Sequence, residues 1–181
     1  MSIDQGKYIC AYTDFGFKRL FGSELNKDIL ISFLNSFLNL KDKIVDLSYL
    51  SLEQLGDLVT DREPIFDVYC KTSDDAYIIV EMQNAAQNYF KDRSIFYSSF
   101  AIRNQAPKGV LDYQLKAVYT IGILNFVLEK DSEPYRHEVV LYDKVTNCQF
   151  NANWLTIILN YLNLPKQKMN LKLSKINGCM Q

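Results

Sequence analysis

A chain of 181 residues that is 48% apolar and 13% aromatic, with seven glycines and four prolines, has the length and composition of one globular domain with a sizeable core, which excludes a disordered or low-complexity protein. Its four cysteines, Cys10, Cys70, Cys148 and Cys179, lie far apart with no CxxC pair; this speaks against a zinc knuckle or a secreted disulfide framework and leaves reduced thiols in a cytoplasmic protein as the expectation. Net charge is −1, yet residues 151–181 hold four lysines (Lys166, Lys168, Lys172, Lys175) and no acid, so the body before them carries 16 basic and 21 acidic residues.

From Asp14 to Leu38, Phe17, Leu20, Phe21, Leu25, Ile29, Phe33, Leu34, Phe37 and Leu38 recur mainly three or four residues apart, which predicts helix, with Gly22 dividing a short first helix from a longer second one. A first strand is expected near 44–50, followed by a polar connection over 52–63 that ends before Pro64. Ile65 to Thr72 and Ala76 to Gln83 are β-prone runs flanking Ser73, Asp74 and Asp75, a turn of hairpin length. Tyr89 to Gln105 fits a helix that stops at the breaker Ala106, Pro107, Lys108, Gly109. Lys116 to Leu124 reads as a strand buried on both faces and His137 to Tyr142 as another. Trp154 to Leu164 is compatible with strand or helix. No apolar stretch approaches the roughly 20 residues a membrane helix needs, so no membrane role is expected.

If the hairpin closes around Asp74, residues whose numbers sum to 148 face each other, which sets Asp67 opposite Glu81 at roughly 5 Å. Alternation along the strand then puts Gln83 on the side of Glu81, with Ile78, Val80 and Met82 facing the core. Two facing carboxylates repel unless one is protonated or a cation lies between them, and Mg²⁺ accepts such oxygen ligands while keeping waters and a substrate phosphate. Gln83 has an amide to orient a water, so the chemistry expected is phosphodiester hydrolysis. From spacing alone, solvated surface carboxylates explain the pair as well.

Tyr12-Thr13-Asp14-Phe15-Gly16-Phe17-Lys18-Arg19-Leu20-Phe21-Gly22, Phe66-Asp67-Val68-Tyr69-Cys70, Val80-Glu81-Met82-Gln83 and Tyr119-Thr120-Ile121-Gly122-Ile123-Leu124 follow one another in this order. Together they resemble the PD-(D/E)xK nuclease family transposases, relatives of the recombination-promoting Rpn nucleases, over roughly residues 8–150. The resemblance implies an α/β protein with a restriction-endonuclease-like α/β/α core around a mixed central sheet, Mg²⁺ dependence with Mn²⁺ as substitute, no organic cofactor, and cleavage of DNA. It makes Asp67 and Glu81 the metal ligands and sets Gln83 where the general motif has Lys, a neutral amide that positions water without adding charge.

Asp14 and Lys18, four apart, form a local helix ion pair or point together toward the site. Arg93, in the helix after the hairpin, either reaches a phosphate or faces solvent. His137 reads as structural, and Phe96, Tyr97 and Phe100 as core. Residues 1–150 are expected to form the nuclease-like domain and 151–181 a divergent or truncated basic segment, since Leu162-Asn163-Leu164-Pro165-Lys166 echoes the acid-containing Leu-Pro-Lys segment of the family. The leading expectation is a metal-dependent DNA endonuclease of a mobile-element type, acting as a homodimer because double-strand cleavage needs two sites. The alternatives are a degenerate nuclease-fold module that binds DNA or a partner protein without cutting, and a hydrolase of RNA.

Overall fold

The computed structural model describes residues 13–51, 66–86, 88–106, 109, 113–128, 134–160 and 162. The connection expected over 52–63, Pro107 and Lys108 of the helix-stopping segment, Cys10, Cys179 and the four lysines after residue 163 lie outside them. In chain order the elements are α1 (Asp14–Phe21), a 3-10 turn (Glu24–Asn26), α2 (Lys27–Phe37), β1 (Leu47–Tyr49), β2 (Val68–Thr72), β3 (Tyr77–Gln83), α3 (Phe90–Arg103), β4 (Val118–Leu124), β5 (Arg136–Asp143) and β6 (Cys148–Asn160).

The six strands form one mixed sheet in the order β1-β2-β3-β4-β6-β5. β1, β2 and β3 pair antiparallel, β3, β4 and β6 run parallel, and β5 closes the far edge antiparallel to β6. α1 and α2 bring Phe17, Leu20, Leu30 and Leu34 onto one sheet face, against Val68, Cys70, Ile78, Val80, Ile121 and Ile157. α3 brings Tyr97, Phe100 and Ala101 onto the opposite face, against Tyr69, Ile79 and Val118. The result is an α/β/α sandwich over a mixed sheet, consistent with the restriction-endonuclease-like expectation.

Local chemistry accounts for the boundaries. Thr13 opens α1 by accepting a hydrogen bond from the Gly16 amide at 3.0 Å, an ordinary N-cap. Gly22 ends it: its amide donates to the Lys18 carbonyl at 2.8 Å, and a Cβ there would lie 2.6 Å from that oxygen. The hairpin closes as the numbers predict, with Val68 opposite Val80, Tyr69 opposite Ile79 and Cys70 opposite Ile78.

One open reading is resolved and one expectation changes. Of the two geometries compatible with the stretch from Trp154, the structure has strand as far as Asn160: β6 is 13 residues long, runs across residue 150, and lies between β4 and β5 with Trp154, Thr156, Ile157, Ile158, Leu159 and Asn160 buried. Its apolar run suits either geometry until the parallel pairing with β4 selects strand. Phe96 is 45% exposed, unlike the buried Tyr97 and Phe100: it lies on the outward side of α3, although its ring meets Phe100 edge-on at 4.9 Å. Cys70 and Cys148 are free thiols. Among the described residues no helix is long and apolar enough to cross a membrane.

Candidate active site

β3, β4 and β6 end level with one another, Gln83 beside Leu124 and Leu124 beside Asn160. The carboxyl ends of parallel strands leave a crevice that is the usual place for a ligand in an open α/β sheet. Near this end of β3, Ile78, Val80 and Met82 belong to the cluster under α1 and α2, while Ile79 belongs to the cluster under α3. Strand alternation therefore puts Glu81 and Gln83 on the α3 face.

Glu81 is 6% exposed. Its partner on β4 is Gly122, and a Cβ at Gly122 would come within 2.6 Å of Phe90 Cζ. The absence of a side chain there lets the first residue of α3 seat its ring on β4 beside Glu81. Burial pushes the Glu81 carboxyl up to about 7, against the pull of the Arg93 guanidinium, and the charge of Asp67 adds to the rise. Arg93, one turn into α3, donates through Nη2 to Glu81 Oε1 and is held over the Tyr97 ring, 5.4 Å from its centroid.

Asp67 sits one residue before β2. Its amide donates to the Val80 carbonyl at 3.2 Å and its Oδ2 accepts from the Met82 amide at 2.6 Å. The main chain thus leaves the ladder at Asp67, and the carboxylate takes over a strand hydrogen bond beside Glu81. The Asp67 side chain is 6% exposed, and its Oδ1 lies 3.4 Å from Lys18 Nζ. Beyond Gln83, the Asn125 amide donates to the Gln83 carbonyl at 2.9 Å and Asn125 Nδ2 donates to Asn84 Oδ1 at 2.7 Å, tying the ends of β3 and β4 together.

The structure therefore gathers Lys18, Asp67, Glu81, Gln83 and Arg93 at one end of the sheet, with Lys18 reaching in from one helical layer and Arg93 from the other. Lys18 and Arg93 each pair with one of the two acids. Asp14 opens α1, but its side chain lies outside what the structure describes. Gly122 and Phe90, which shape the burial of Glu81, were not singled out by residue chemistry. The signal available was a glycine in the middle of an apolar β-run, which marks a close approach by another group.

Among the described residues no group of three or more His, Cys, Asp or Glu comes together. The donor set is the pair of carboxylates, and that is enough for Mg²⁺, which binds through one or two carboxylates and completes its shell with waters and substrate phosphates. A buried carboxyl held high beside a second acid is also the environment that a divalent cation relieves. The residues present fit such an ion.

Residues 11–179 match the family model described as PD-(D/E)XK nuclease family transposase. No curated protein and no solved structure matches the chain.

Proposed function

The chain belongs to the PD-(D/E)XK nuclease family transposases, and from that premise we propose that it is a divalent-metal-dependent DNA endonuclease of a mobile-element, recombination-promoting type. The observation that carries the proposal is the convergence of Asp67 and Glu81, both with side chains under a tenth exposed, at the carboxyl ends of the parallel strands.

Asp67 and Glu81 would hold Mg²⁺, or Mn²⁺ in its place. Bound there, the ion supplies a Lewis acid for the scissile phosphate and makes water a better nucleophile near neutral pH. Gln83, on the same face as Glu81 and two residues along the strand, orients the attacking water through its amide. The side chains of Lys18 and Arg93 are 42% and 29% exposed, so both cations border solvent. When a polynucleotide arrives they exchange their carboxylate partners for phosphate oxygens, fixing the backbone without reading sequence. They also supply positive charge that Gln83 lacks in the place of a lysine. Cutting both strands of a duplex needs two such sites, which makes a homodimer the working assembly.

One observation favours a second reading: both acids are already ion-paired, by Lys18 and by Arg93, as a nuclease-fold module that binds DNA or a partner without cleaving it would tolerate. Incubation of the purified chain with supercoiled plasmid in Mg²⁺, in Mn²⁺ and in EDTA, alongside a single-stranded RNA of matched length, separates the two. The proposal expects nicked and linear plasmid that EDTA abolishes. Intact plasmid with folded protein in both metals would favour the binding module, and cleavage confined to RNA would change the substrate.

A further inference from the structure

Tyr89, the residue before α3, adopts a conformation that the fold does not explain. Its φ is 65°, in the left-handed region that a bulky residue rarely occupies. Among the described residues two other non-glycine positions have a positive φ, Asp75 and Asn147. Both lie between hairpin strands, and Asp and Asn tolerate that conformation in turns. A tyrosine does not share their tolerance. Tyr89 is 76% exposed, and among the described residues no hydrogen bond or ring contact holds its side chain. A residue that strains the backbone and packs on nothing lowers the stability of the folded chain, a pattern that points to a role toward something outside it.

Its position supplies the role. The Tyr89 carbonyl accepts from the Arg93 amide at 2.9 Å, so Tyr89 stands one helical turn before the guanidinium that pairs with Glu81. The next residue, Phe90, is the one seated against Gly122 beside Glu81. The opposite layer repeats the arrangement. Phe15 of α1 is 69% exposed and precedes Lys18, the partner of Asp67, by three residues. That spacing makes the two neighbours on one helix flank, roughly 5–6 Å apart at Cβ. Each helical layer thus brings one cation to the pair of acids and carries one exposed ring a turn away from that cation.

This spacing selects a ligand. Where the cations hold phosphate oxygens, the groups next along a polynucleotide are its bases. Every base has a π-face, so an aromatic ring stacks on any of them without reading sequence. A base inside a duplex is covered on both faces by its neighbours, and only an unpaired one offers a face to a side chain. We propose that Tyr89 and Phe15 are stacking residues that hold unpaired bases on either side of the scissile phosphate, so that the substrate is a single-stranded or locally opened stretch of polynucleotide. This rests on the reading of the chain as a metal-dependent nuclease, and it narrows that reading to unpaired strands. The strand comes either from opened DNA or from RNA.

The full chain, in EDTA so that no cleavage occurs, is titrated against a fluorescently labelled DNA single strand, the matching duplex and an RNA strand of the same sequence. Anisotropy reads binding, and Tyr89→Asn, Tyr89→Phe and Phe15→Ala are measured alongside. The wild type is expected to bind the DNA strand at least about tenfold more tightly than the duplex. Tyr89→Asn and Phe15→Ala should each weaken strand binding about tenfold, which is about 1.4 kcal/mol and within the range of one base–aromatic stack. Tyr89→Phe keeps the ring and should stay within about twofold of the wild type. Because Tyr89→Asn relieves the strained φ, its melting temperature should not fall, and a merely structural role for Tyr89 would leave binding unchanged. Phe96→Ala removes an exposed ring about two turns farther along α3 and should bind as the wild type does. Circular dichroism verifies folding, and Phe15→Leu takes the place of Phe15→Ala if the latter does not fold. Binding of the DNA strand alone assigns DNA as the source, and equal binding of the RNA strand assigns an unpaired strand of either sugar. No strand binding by the wild type, tighter binding of the duplex, or unchanged affinity in Tyr89→Asn or Phe15→Ala overturns the proposal. So does a loss in Tyr89→Phe equal to that in Tyr89→Asn. Plasmid nicking in Mg²⁺ keeps the two readings apart. If the wild type nicks plasmid and the variants bind the strand as it does, the stacking role falls and the nuclease stands. If strand binding depends on both rings while plasmid stays intact, the rings stand and the nuclease falls.

Discussion

Glu81 faces two demands that pull its proton in opposite directions. Burial beside Phe90 and the charge of Asp67 hold its carboxyl at about 7, while Arg93 draws it down. Because this is above the ordinary 4.5, the metal-free protein gains stability from Glu81 in full below about pH 4.5 and loses it as the pH rises through about 7. A divalent ion needs the carboxylate, so protons compete with it below about pH 7. Mg²⁺ should therefore raise the melting temperature more at about pH 8 than at about pH 6, and Glu81→Gln should abolish the difference. An equal Mg²⁺ effect at both pH values, or one retained in Glu81→Gln, would count against Glu81 as a ligand. The facing of Asp67 and Glu81, with Gln83 on the same side of the strand, was legible from the hairpin numbering, while a metal-binding role came only from the family resemblance. Lys18 and Arg93 were readable as candidates for the site, but not which acid each would pair: Lys18 meets Asp67 across 49 residues of chain, and only the packing of α1 against the sheet brings them together.

Two positions show how an element holds the site. Gly122 on β4 makes room for the Phe90 ring, so Gly122→Ala should displace the start of α3 and cost about 1–3 kcal/mol of stability. Denaturant unfolding measures this, and Phe90→Leu in the same chain should recover part of the loss. If Gly122→Ala were neutral, the seating of α3 on β4 would not be what buries Glu81. Tyr89, the residue before α3, has φ of 65°, a left-handed conformation that costs a non-glycine residue roughly 1–2 kcal/mol. Asn tolerates that region and caps helices, so Tyr89→Asn should stabilise the protein by about 1 kcal/mol, read as a raised melting temperature. α1, α2, α3 and the hairpin were readable because their apolar spacing has one interpretation. β6 was not, because its first half is exposed and polar and its second half is a continuous apolar run without a period.

At the scale of the whole molecule, the sheet is held together by strands distant in sequence. β6 supplies Ile157 to the cluster beneath α1 and α2, and among the described residues it is the only strand that joins β5 to the rest of the sheet. A chain ending at residue 150 would lack the buried half of β6, so it should be insoluble or lack a cooperative melt, which circular dichroism would register; Ile157→Ala, at 0% exposure, should cost about 2–5 kcal/mol. The same topology brings β3, β4 and β6 to a common end, where Lys18 and Arg93 converge from the two helical layers on Asp67 and Glu81. The rate of supercoiled-plasmid nicking at saturating Mg²⁺ by wild type, Asp67→Ala and Glu81→Ala, each verified as folded, tests whether that convergence is a catalytic centre. The expected result is nicking by the wild type and a loss of at least about a hundredfold in both variants, as expected when an electrostatic contribution of a few kcal/mol to the transition state is removed. Nicking retained by either variant would contradict it.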